Sequence, residues 1–489
     1  MGNSASDPAA AHQNGSSKSD VNLDSLLARI TGLVANPDAP PPPLQPVSIQ
    51  RQNAQTARDS EELQPAKRVE EFFPLAPASL LQTGVNESMV EEIIVKFLLA
   101  QGEATGRSIA GQVRLPVQIV EKILTRMKQE QLIGYVGQAA MNDYVCKLTE
   151  IGRERGKRYS EHCTYFGAVP VPLKDYIAAV KAQSLSGQHP TEKDLKRAFS
   201  DLLISPTMFG KLGPAVNSGK GMFLYGYPGN GKTSIAERIT LAFGKYIWIP
   251  RALNIDGEIM RIFDPMNHRE APAPESEGLI KTSDIDHRWV RIERPTIVVG
   301  GELTMEHLEV AFNQQTGTSE APIQMKSNCG ILVIDDFGRQ RMSVSELLNR
   351  WIVPLEKRFD FLNTKGGKKV QVPFDQLVIF STNLEPKDLV DDAFLRRIPY
   401  KIEVPNPPEE DFCKLFGIMS KITGFEHNES LVRYLIETHY KPHNRPFRNC
   451  HPRDLLLQIK SYCLYNGKPL ELTKEGFDFA VENYFSIMS

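Results

Sequence analysis

Between residues 89 and 148, apolar residues recur first at helical spacing and then at alternating positions. Helical spacing predicts amphipathic helices, and alternation around a Gly/Asn/Asp turn predicts two paired strands. Pro116 suits the first position of the third helix, and Thr149 suits the N-cap of a further one. The predicted helices cover 89–99, 105–113 and 116–127, and the predicted strands cover 132–136 and 144–148. These elements predict a small α+β domain at residues 71–165.

Beyond residue 206 the pattern changes twice. Apolar strand-like runs alternate with helical stretches up to about residue 405, which is typical of a parallel α/β sheet. Residues 406–489 contain only helical patterns and predict a separate all-α domain, while residues 166–205 predict a linker and a helix. Residues 1–70 hold few apolar positions and the run Pro40 to Pro43, so we expect a disordered tail. The sequence therefore predicts a multidomain protein with an α/β core.

Composition narrows the class of protein. A length of 489 residues predicts two or three domains, and a formal net charge of −2 provides no basic field for nucleic acid or acidic membranes. The six cysteines include no C-x-x-C pair, which indicates reduced thiols and a cytoplasmic location. No apolar run reaches the roughly 18 residues of a transmembrane helix, so we expect no membrane partner.

The 71–165 domain has the predicted shape of a winged helix, and two functions fit that shape. One is binding of duplex DNA through the third helix, and the other is binding of a protein partner. Residues 71–165 contain eleven Lys and Arg against eleven Asp and Glu. Because DNA affinity comes largely from neutralising phosphates, a neutral domain favours a protein partner, although DNA stays an alternative.

A glycine-rich segment follows an apolar strand at 222–225 and precedes a helix. It reads GYPGNGKT, which matches the phosphate-binding pattern G-x-x-x-x-G-K-[ST] in its strand–loop–helix context. Backbone N–H groups and the helix dipole favour a bound phosphate, Lys232 would bridge the β- and γ-phosphates, and the Thr233 hydroxyl would bind Mg²⁺. The predicted ligand is ATP, held by Gly226, Pro228, Gly229, Asn230, Gly231, Lys232, Thr233 and Ser234.

Two later strands end in polar residues that fit the same chemistry. The apolar run 331–334 ends in Asp335 and Asp336, and charges at the end of a buried strand are costly without a function. Asp335 would hold Mg²⁺ and Asp336 would polarise the attacking water. Asn383 follows the apolar run 378–382 and would position that water, although an Asn after a strand is more often a turn residue.

The order of these motifs resembles that of AAA+ ATPases across residues 200–489. The resemblance implies Walker A at 226–233, Walker B at 331–336, sensor 1 at Asn383 and an α-helical lid at 406–489. It implies an arginine finger at Arg396 or Arg397, which would act on a neighbouring subunit and would require a homo-oligomer, typically a ring. It also implies that Arg453 is a sensor 2 arginine that contacts phosphate within its own subunit.

The sequence departs from the family pattern in three places. Asp336 stands where most relatives carry Glu, and Lys232 and Asp335 are 103 positions apart, well above the family's usual spacing. The extra residues, about 250–320, contain a charged loop at 271–278 and a predicted hairpin of 287–292 with 296–299. The basic turn 365–369 resembles a hairpin that precedes sensor 1 in some AAA+ groups and often lines a pore, with a plain surface turn as the alternative.

Three functions remain open from the sequence. The first is an oligomeric ATPase that remodels or assembles a protein partner recruited by residues 71–165. The second is a DNA-coupled ATPase that uses the winged helix and the basic turn, and the third is an ATP-gated switch with little hydrolysis. No aromatic–hydrophobic–Gly pore loop is present, so threading of polypeptide is not supported.

Overall fold

The structure is a computed structural model that describes residues 72–141, 143–272 and 285–486. The predicted tail at 1–70 and most of the charged loop at 271–278 lie outside these residues. The described chain forms two compact units, one of residues 72–199 and 204–405 and one of Ser200–Leu203 and 406–486. None of the helices within the described ranges has both the length and the apolar character needed to cross a bilayer.

Residues 72–165 form four helices and a three-stranded antiparallel sheet in the order β1-β3-β2. The Thr149 hydroxyl caps the fourth helix by accepting from the Gly152 N–H, as its position in the sequence predicts. Pro116 is the N-cap of the third helix rather than its first residue. The elements are α1 (Glu87–Gln101), β1 (Glu103–Thr105), α2 (Gly106–Val113), α3 (Val117–Gln129), β2 (Ile133–Ala139), β3 (Asp143–Leu148) and α4 (Glu150–His162).

The next segment holds more structure than the predicted linker and single helix. It contains the short strand β4 (Val171–Pro172) and two helices, α5 (Leu173–Ala182) and α6 (Glu192–Ala198). Tyr176 on α5 is 1% exposed and packs in the hydrophobic core, so this segment is part of the folded unit. The predicted linker and single helix left out one helix and the short strand; the apolar face of α5 is buried because it needs a packing partner.

Residues 206–405 form an α/β domain around a five-stranded, fully parallel sheet in the order β10-β13-β16-β5-β17. The helices are α7 (Pro206–Ser218), α8 (Lys232–Ile239), α9 (Ile323–Lys326), α10 (Val344–Lys357), α11 (Pro386–Leu389) and α12 (Asp392–Arg397). The strands are β5 (Met222–Tyr225), β6 (Tyr246–Pro250), β7 (Ala252–Ile255), β8 (Glu258–Arg261), β9 (Trp289–Glu293), β10 (Thr296–Val299), β11 (Ala311–Asn313), β12 (Thr318–Glu320), β13 (Ile331–Ile334), β14 (Phe359–Asn363), β15 (Lys369–Pro373), β16 (Leu377–Thr382) and β17 (Tyr400–Glu403). Every residue of β13 and β16 is buried, as continuous apolar runs in a parallel sheet require.

The predicted hairpin of 287–292 with 296–299 is wrong. β9 pairs antiparallel with β6, whereas β10 pairs parallel with β13 at the edge of the main sheet. The connection Arg294-Pro295 lacks the glycine or asparagine that a two-residue hairpin turn needs. The buried Arg294 guanidinium instead donates to the carbonyls of Gly244 and Cys329, which directs the chain from one sheet into the other.

Strands β7, β8, β11 and β12 of the long insertion form a mixed sheet together with β4, in the order β11-β12-β8-β7-β4. The basic turn predicted at 365–369 joins β14 to β15, which form a two-stranded antiparallel hairpin immediately before β16. Phe72 and Phe73, at the start of the described chain, contact Trp289 of the insertion and Trp248 of β6 at centroid distances of 5.4 and 5.8 Å, in tilted and T-shaped geometry. The N-terminal end of the described chain therefore packs against the same core as the insertion.

Residues 406–486 are helical, with no strand among these residues. The helices are α13 (Glu409–Thr423), α14 (Glu429–Leu435), α15 (His451–Tyr465) and α16 (Lys474–Phe485), and a π-helical turn at Ile436–Tyr440 extends α14. Their shared core includes Phe412, Phe416 and Phe477, each 0% exposed. An all-α composition was predicted from the helical spacing of this region.

A candidate nucleotide-binding site

The glycine-rich loop between β5 and α8 adopts backbone conformations that favour glycine. Gly226, Gly229 and Gly231 have φ angles of 136°, 82° and 83°. A Cβ at position 226 would lie 2.5 Å from the Val404 carbonyl oxygen, so a side chain there would clash with the backbone after β17. Pro228 and Gly229 are exposed at the loop tip. Two of these glycines therefore lie in the left-handed region, and Gly226 is also required by close approach of another strand.

Lys232 is the first residue of α8 and is only 7% exposed. Its Nζ donates to the carbonyl oxygens of Gly226 and Tyr227 at 2.9 and 3.0 Å and to Asn383 Oδ1 at 2.7 Å. The ammonium group therefore sits inside the curve of the loop, next to the end of β16. An ammonium group at this place is positioned to contact an anion bound by the loop.

Thr233 and Asp335 form the second contact of the site. The Thr233 hydroxyl donates to Asp335 Oδ2 at 2.8 Å, which joins the start of α8 to the end of β13. A hydroxyl beside a carboxylate is a donor set of hard oxygens, and such sets fit Mg²⁺. These two residues are therefore suited to hold Mg²⁺ against a nucleotide.

Asp336 and Asn383 form the third contact. Asn383 Nδ2 donates to Asp336 Oδ1 at 3.0 Å, while Asn383 Oδ1 accepts from Lys232. Asp336 is exposed and has a φ of 47°, in the left-handed region where Asp and Asn are better tolerated than most residues. The amide of Asn383 thus bridges Lys232 of the glycine-rich loop and Asp336.

The strand order explains how these residues meet. β16 lies between β5 and β13, so Asn383, which follows β16, falls between the glycine-rich loop and the two aspartates. Parallel strands place their carboxyl ends at one edge of a sheet, which is where ligands of open α/β sheets bind. Five side chains that are distant in the sequence therefore share one edge: Lys232, Thr233, Asp335, Asp336 and Asn383.

Two other loop residues differ in their exposure. Asn230 is 1% exposed, and Ser234 on the first turn of α8 is partly buried. Val404 also contacts the start of the loop, since its N–H donates to the Tyr225 carbonyl at 2.8 Å. The sequence did not predict this contact. The signal for it was the strand-like pattern of 400–403, which gave no information on which strand it would join.

The two candidate finger arginines have different surroundings on α12. Arg397 Nη1 donates to the Ala393 carbonyl at 3.0 Å, and its Nε lies 3.7 Å from Glu356 Oε2. Arg396 is exposed and has no hydrogen-bond or ion-pair partner among residues 72–141, 143–272 and 285–486. The structure therefore distinguishes a side chain that is engaged locally from one that projects from the surface.

Arg453 lies on the first turn of α15 in the helical unit. Its guanidinium contacts the adjacent Asp454, with Nε and Nη2 at 3.0 and 2.9 Å from Oδ1, and its side chain is 59% exposed.

Nearby, burial and the Arg448 cation lower the pKa of His451 to about 4. His451 is 3% exposed and its Nδ1 lies 3.0 Å from the Tyr440 hydroxyl. This histidine is therefore neutral at pH 7.

Comparison with known proteins adds three findings. Residues 408–483 match a family described as Domain of unknown function (DUF8689). No curated protein sequence matches the chain. Two mutants of RuvB from Thermotoga maritima are similar structures at 11% identity each, with TM-scores of 0.35 and 0.32. The similarity covers 58% and 62% of this chain and 71% and 73% of those chains. TM-scores this low support no function for the chain, so its function is inferred from the geometry of the site.

Proposed function

We propose that the chain is an AAA+ ATPase that binds and hydrolyses ATP with Mg²⁺ and remodels or assembles a protein partner. The observation that carries the proposal is the network of Lys232, Thr233, Asp335, Asp336 and Asn383 at the carboxyl edge of the parallel sheet. A lysine in a glycine-rich loop, two carboxylates and an amide are the groups that phosphoryl transfer to water requires.

Each residue has a defined part in the proposed mechanism. Backbone N–H groups of residues 226–233 (Pro228 has none) and the Lys232 ammonium bind the β- and γ-phosphates. Thr233 and Asp335 would hold Mg²⁺, which would neutralise developing charge. Asp336 accepts a hydrogen bond from the attacking water, and Asn383 keeps the Asp336 carboxylate directed toward it. The hydrogen bond between Asn383 and Asp336 supports this division of roles.

Arg396 is the better candidate for a finger that acts on a neighbouring subunit. An arginine that reaches across an interface must be free of strong local partners, and Arg397 is held by Ala393 and Glu356. The proposed enzyme is therefore a homo-oligomer in which Arg396 stabilises charge on the γ-phosphate of the adjacent protomer. In the all-α lid, Arg453 is the proposed sensor 2 residue.

Residues 72–165 are the proposed recruitment domain, winged-helix-like in shape. Arg126 on α3 pairs with Glu87, Glu91 and Glu130 at 2.5, 3.1 and 3.2 Å, and Glu91 also pairs with Arg155 at 3.2 Å. These arginines are neutralised within the domain, and phosphate contacts would have to replace those carboxylates. This network favours a protein partner over duplex DNA.

Phosphate release from ATP across a series of protein concentrations, with and without duplex DNA, tests the proposal. We expect turnover per chain to rise with concentration, because a finger in trans needs a neighbour, and to be indifferent to DNA. A jump in turnover with DNA and a steep salt dependence would support a DNA-coupled motor instead. A single burst without further turnover would indicate an ATP-gated switch.

A further inference from the structure

The basic turn between β14 and β15 is already occupied by carboxylates of the same chain. Lys368 Nζ lies 2.5 Å from Asp256 Oδ2. The N–H groups of Lys365 and Gly366 donate to the two oxygens of Glu258 at 3.0 and 2.8 Å. Two successive amides that bind one carboxylate form an anion-binding nest, and the carboxylate belongs to Glu258, the first residue of β8.

Both turns are built for this contact. A Cβ at Gly366 would lie 3.3 Å from Glu258 Oε1, so glycine permits the close approach of the carboxylate. Asp256 and Gly257 have φ angles of 52° and 90°, which is the geometry of a tight hairpin turn that projects its acidic residues. The Lys365 ammonium also lies 4.1 Å from the centre of the Phe312 ring.

The contact is exposed enough to be exchanged. The side chains of Lys368 and Asp256 are 64% and 55% exposed. Exposed ion pairs contribute little net stability because water screens them and two long side chains must be ordered. A competing acidic group can therefore replace Asp256 beside Lys368 at little cost in stability, while half-buried Glu258 keeps the two amides until its side chain is displaced.

A cavity of about 240 Å³ lies beside the turn, between α1 of the 72–165 domain and the insertion. Its apolar wall includes Met89, Ile93, Ile259 and Phe312, and Lys365 lines its rim. The acidic Glu92 also lines it, but Lys96 Nζ neutralises that carboxylate at 2.8 Å. The volume suits one or two aliphatic side chains rather than a nucleotide base with its sugar.

We propose that the 365–369 turn and this cavity form a binding site for an acidic peptide segment with a neighbouring aliphatic residue. The turn at 256–258 is a placeholder that occupies the site within the chain until a partner replaces it. The site deepens the proposed function, since it names the class of partner that the 72–165 domain and the insertion recruit together, but peptide binding does not require ATP.

A labelled peptide that copies residues 252–261, titrated into the full-length protein without nucleotide, tests the site. We expect Asp256→Asn with Glu258→Gln to bind it at least about tenfold more tightly than the parent, because Asn tolerates the left-handed turn and the placeholder charge is gone. Adding Lys365→Gln and Lys368→Gln is expected to abolish the gain. A matched peptide with Asn and Gln at its two acidic positions is expected to bind weakly to every variant.

Two results would overturn the peptide site. One is equal affinity of the parent and the Asp256→Asn, Glu258→Gln variant, provided that their melting temperatures agree. The other is a gain for a 20-base-pair duplex but not for the peptide, which would assign the turn to nucleic-acid phosphates. Binding of labelled ATP by the same variants is measured separately, so failure of the peptide site is distinguished from failure of the nucleotide site.

Discussion

At the scale of single residues, the proposed mechanism gives Lys232 and Asp336 different roles. Lys232 lies within the glycine-rich loop, where it would contact phosphate, whereas Asp336 lies beyond Asn383, where it would contact water. The first residue should therefore affect binding and the second should affect chemistry.

Lys232→Ala is expected to abolish ATP binding, and Asp336→Asn is expected to keep it. Loss of the ammonium group removes a charge-assisted contact to phosphate, while Asn keeps the shape and backbone preference of Asp. Fluorescence anisotropy of a labelled ATP analogue with Mg²⁺ measures both affinities. Equal affinities for the two variants would remove support for Lys232 as a phosphate ligand.

The left-handed backbone of Asp336 gives a reason for an aspartate at a position where most of the AAA+ ATPases that the sequence resembles carry glutamate. Asp tolerates a φ of 47° better than Glu does, so the shorter acid relieves strain that the longer one would add. We expect Asp336→Glu to lower turnover several-fold and to cost about 1 kcal/mol, or roughly 2–4 °C in Tm. Calorimetry and phosphate release check this, with Asp336→Asn as the control that keeps Tm. A Glu variant that is faster and equally stable would contradict it.

At the scale of elements, the sequence predicted those segments whose burial is complete or whose spacing is regular. β13 and β16 are continuous apolar runs because both faces are buried, and the helical spacing of residues 406–489 predicted an all-α composition. The pairing of β10 with β13 was missed because strand partners are set by non-local contacts such as those of Arg294. In the site, motif spacing predicted the five side chains of the network but not the hydrogen bond that places Asn383 between Lys232 and Asp336.

The start of α15 is expected to make stability depend on pH. The folded-state pKa of His451 is lowered to about 4, whereas an unfolded histidine titrates near 6.5, so the unfolded chain binds the extra proton first. The free energy of unfolding should therefore fall as pH drops from about 6.5 to 4, by up to about 3 kcal/mol. Denaturant titrations of the full chain at several pH values measure it.

Two variants sharpen that test. His451→Asn keeps an acceptor for the Tyr440 hydroxyl but cannot bind the proton, so the loss of stability between pH 6.5 and 4 should be smaller than in the parent. His427→Asn, at an exposed position of the same unit, is the matched control for loss of a histidine. An unchanged slope for His451→Asn would show that acid sensitivity arises elsewhere.

At the scale of the whole molecule, the account requires more than one copy of the chain. A site whose charge-stabilising arginine belongs to a neighbour is incomplete in a monomer. Arg396 is exposed, whereas Arg397 is engaged by Ala393 and Glu356. We therefore expect substitution of each arginine by Ala to have a different effect on turnover and on stability.

Arg396→Ala is expected to lower turnover by a factor of about 10³ without weakening ATP affinity, as for other arginine fingers. Arg397→Ala is the matched control, and its main effect should be on Tm through the lost contact with Glu356. Mixing Arg396→Ala chains with Lys232→Ala chains should restore part of the activity, because each supplies what the other lacks. No recovery on mixing would contradict a finger in trans.

Multiple-turnover release of phosphate from ATP, by the parent and by Asp336→Asn under the same Mg²⁺ concentration, tests the central claim most directly. The account predicts continued turnover by the parent and loss of at least about two orders of magnitude in the variant, which still binds ATP. Equal rates for the two proteins, or no turnover by the parent at concentrations where it is oligomeric, would contradict the assignment of this site to ATP hydrolysis.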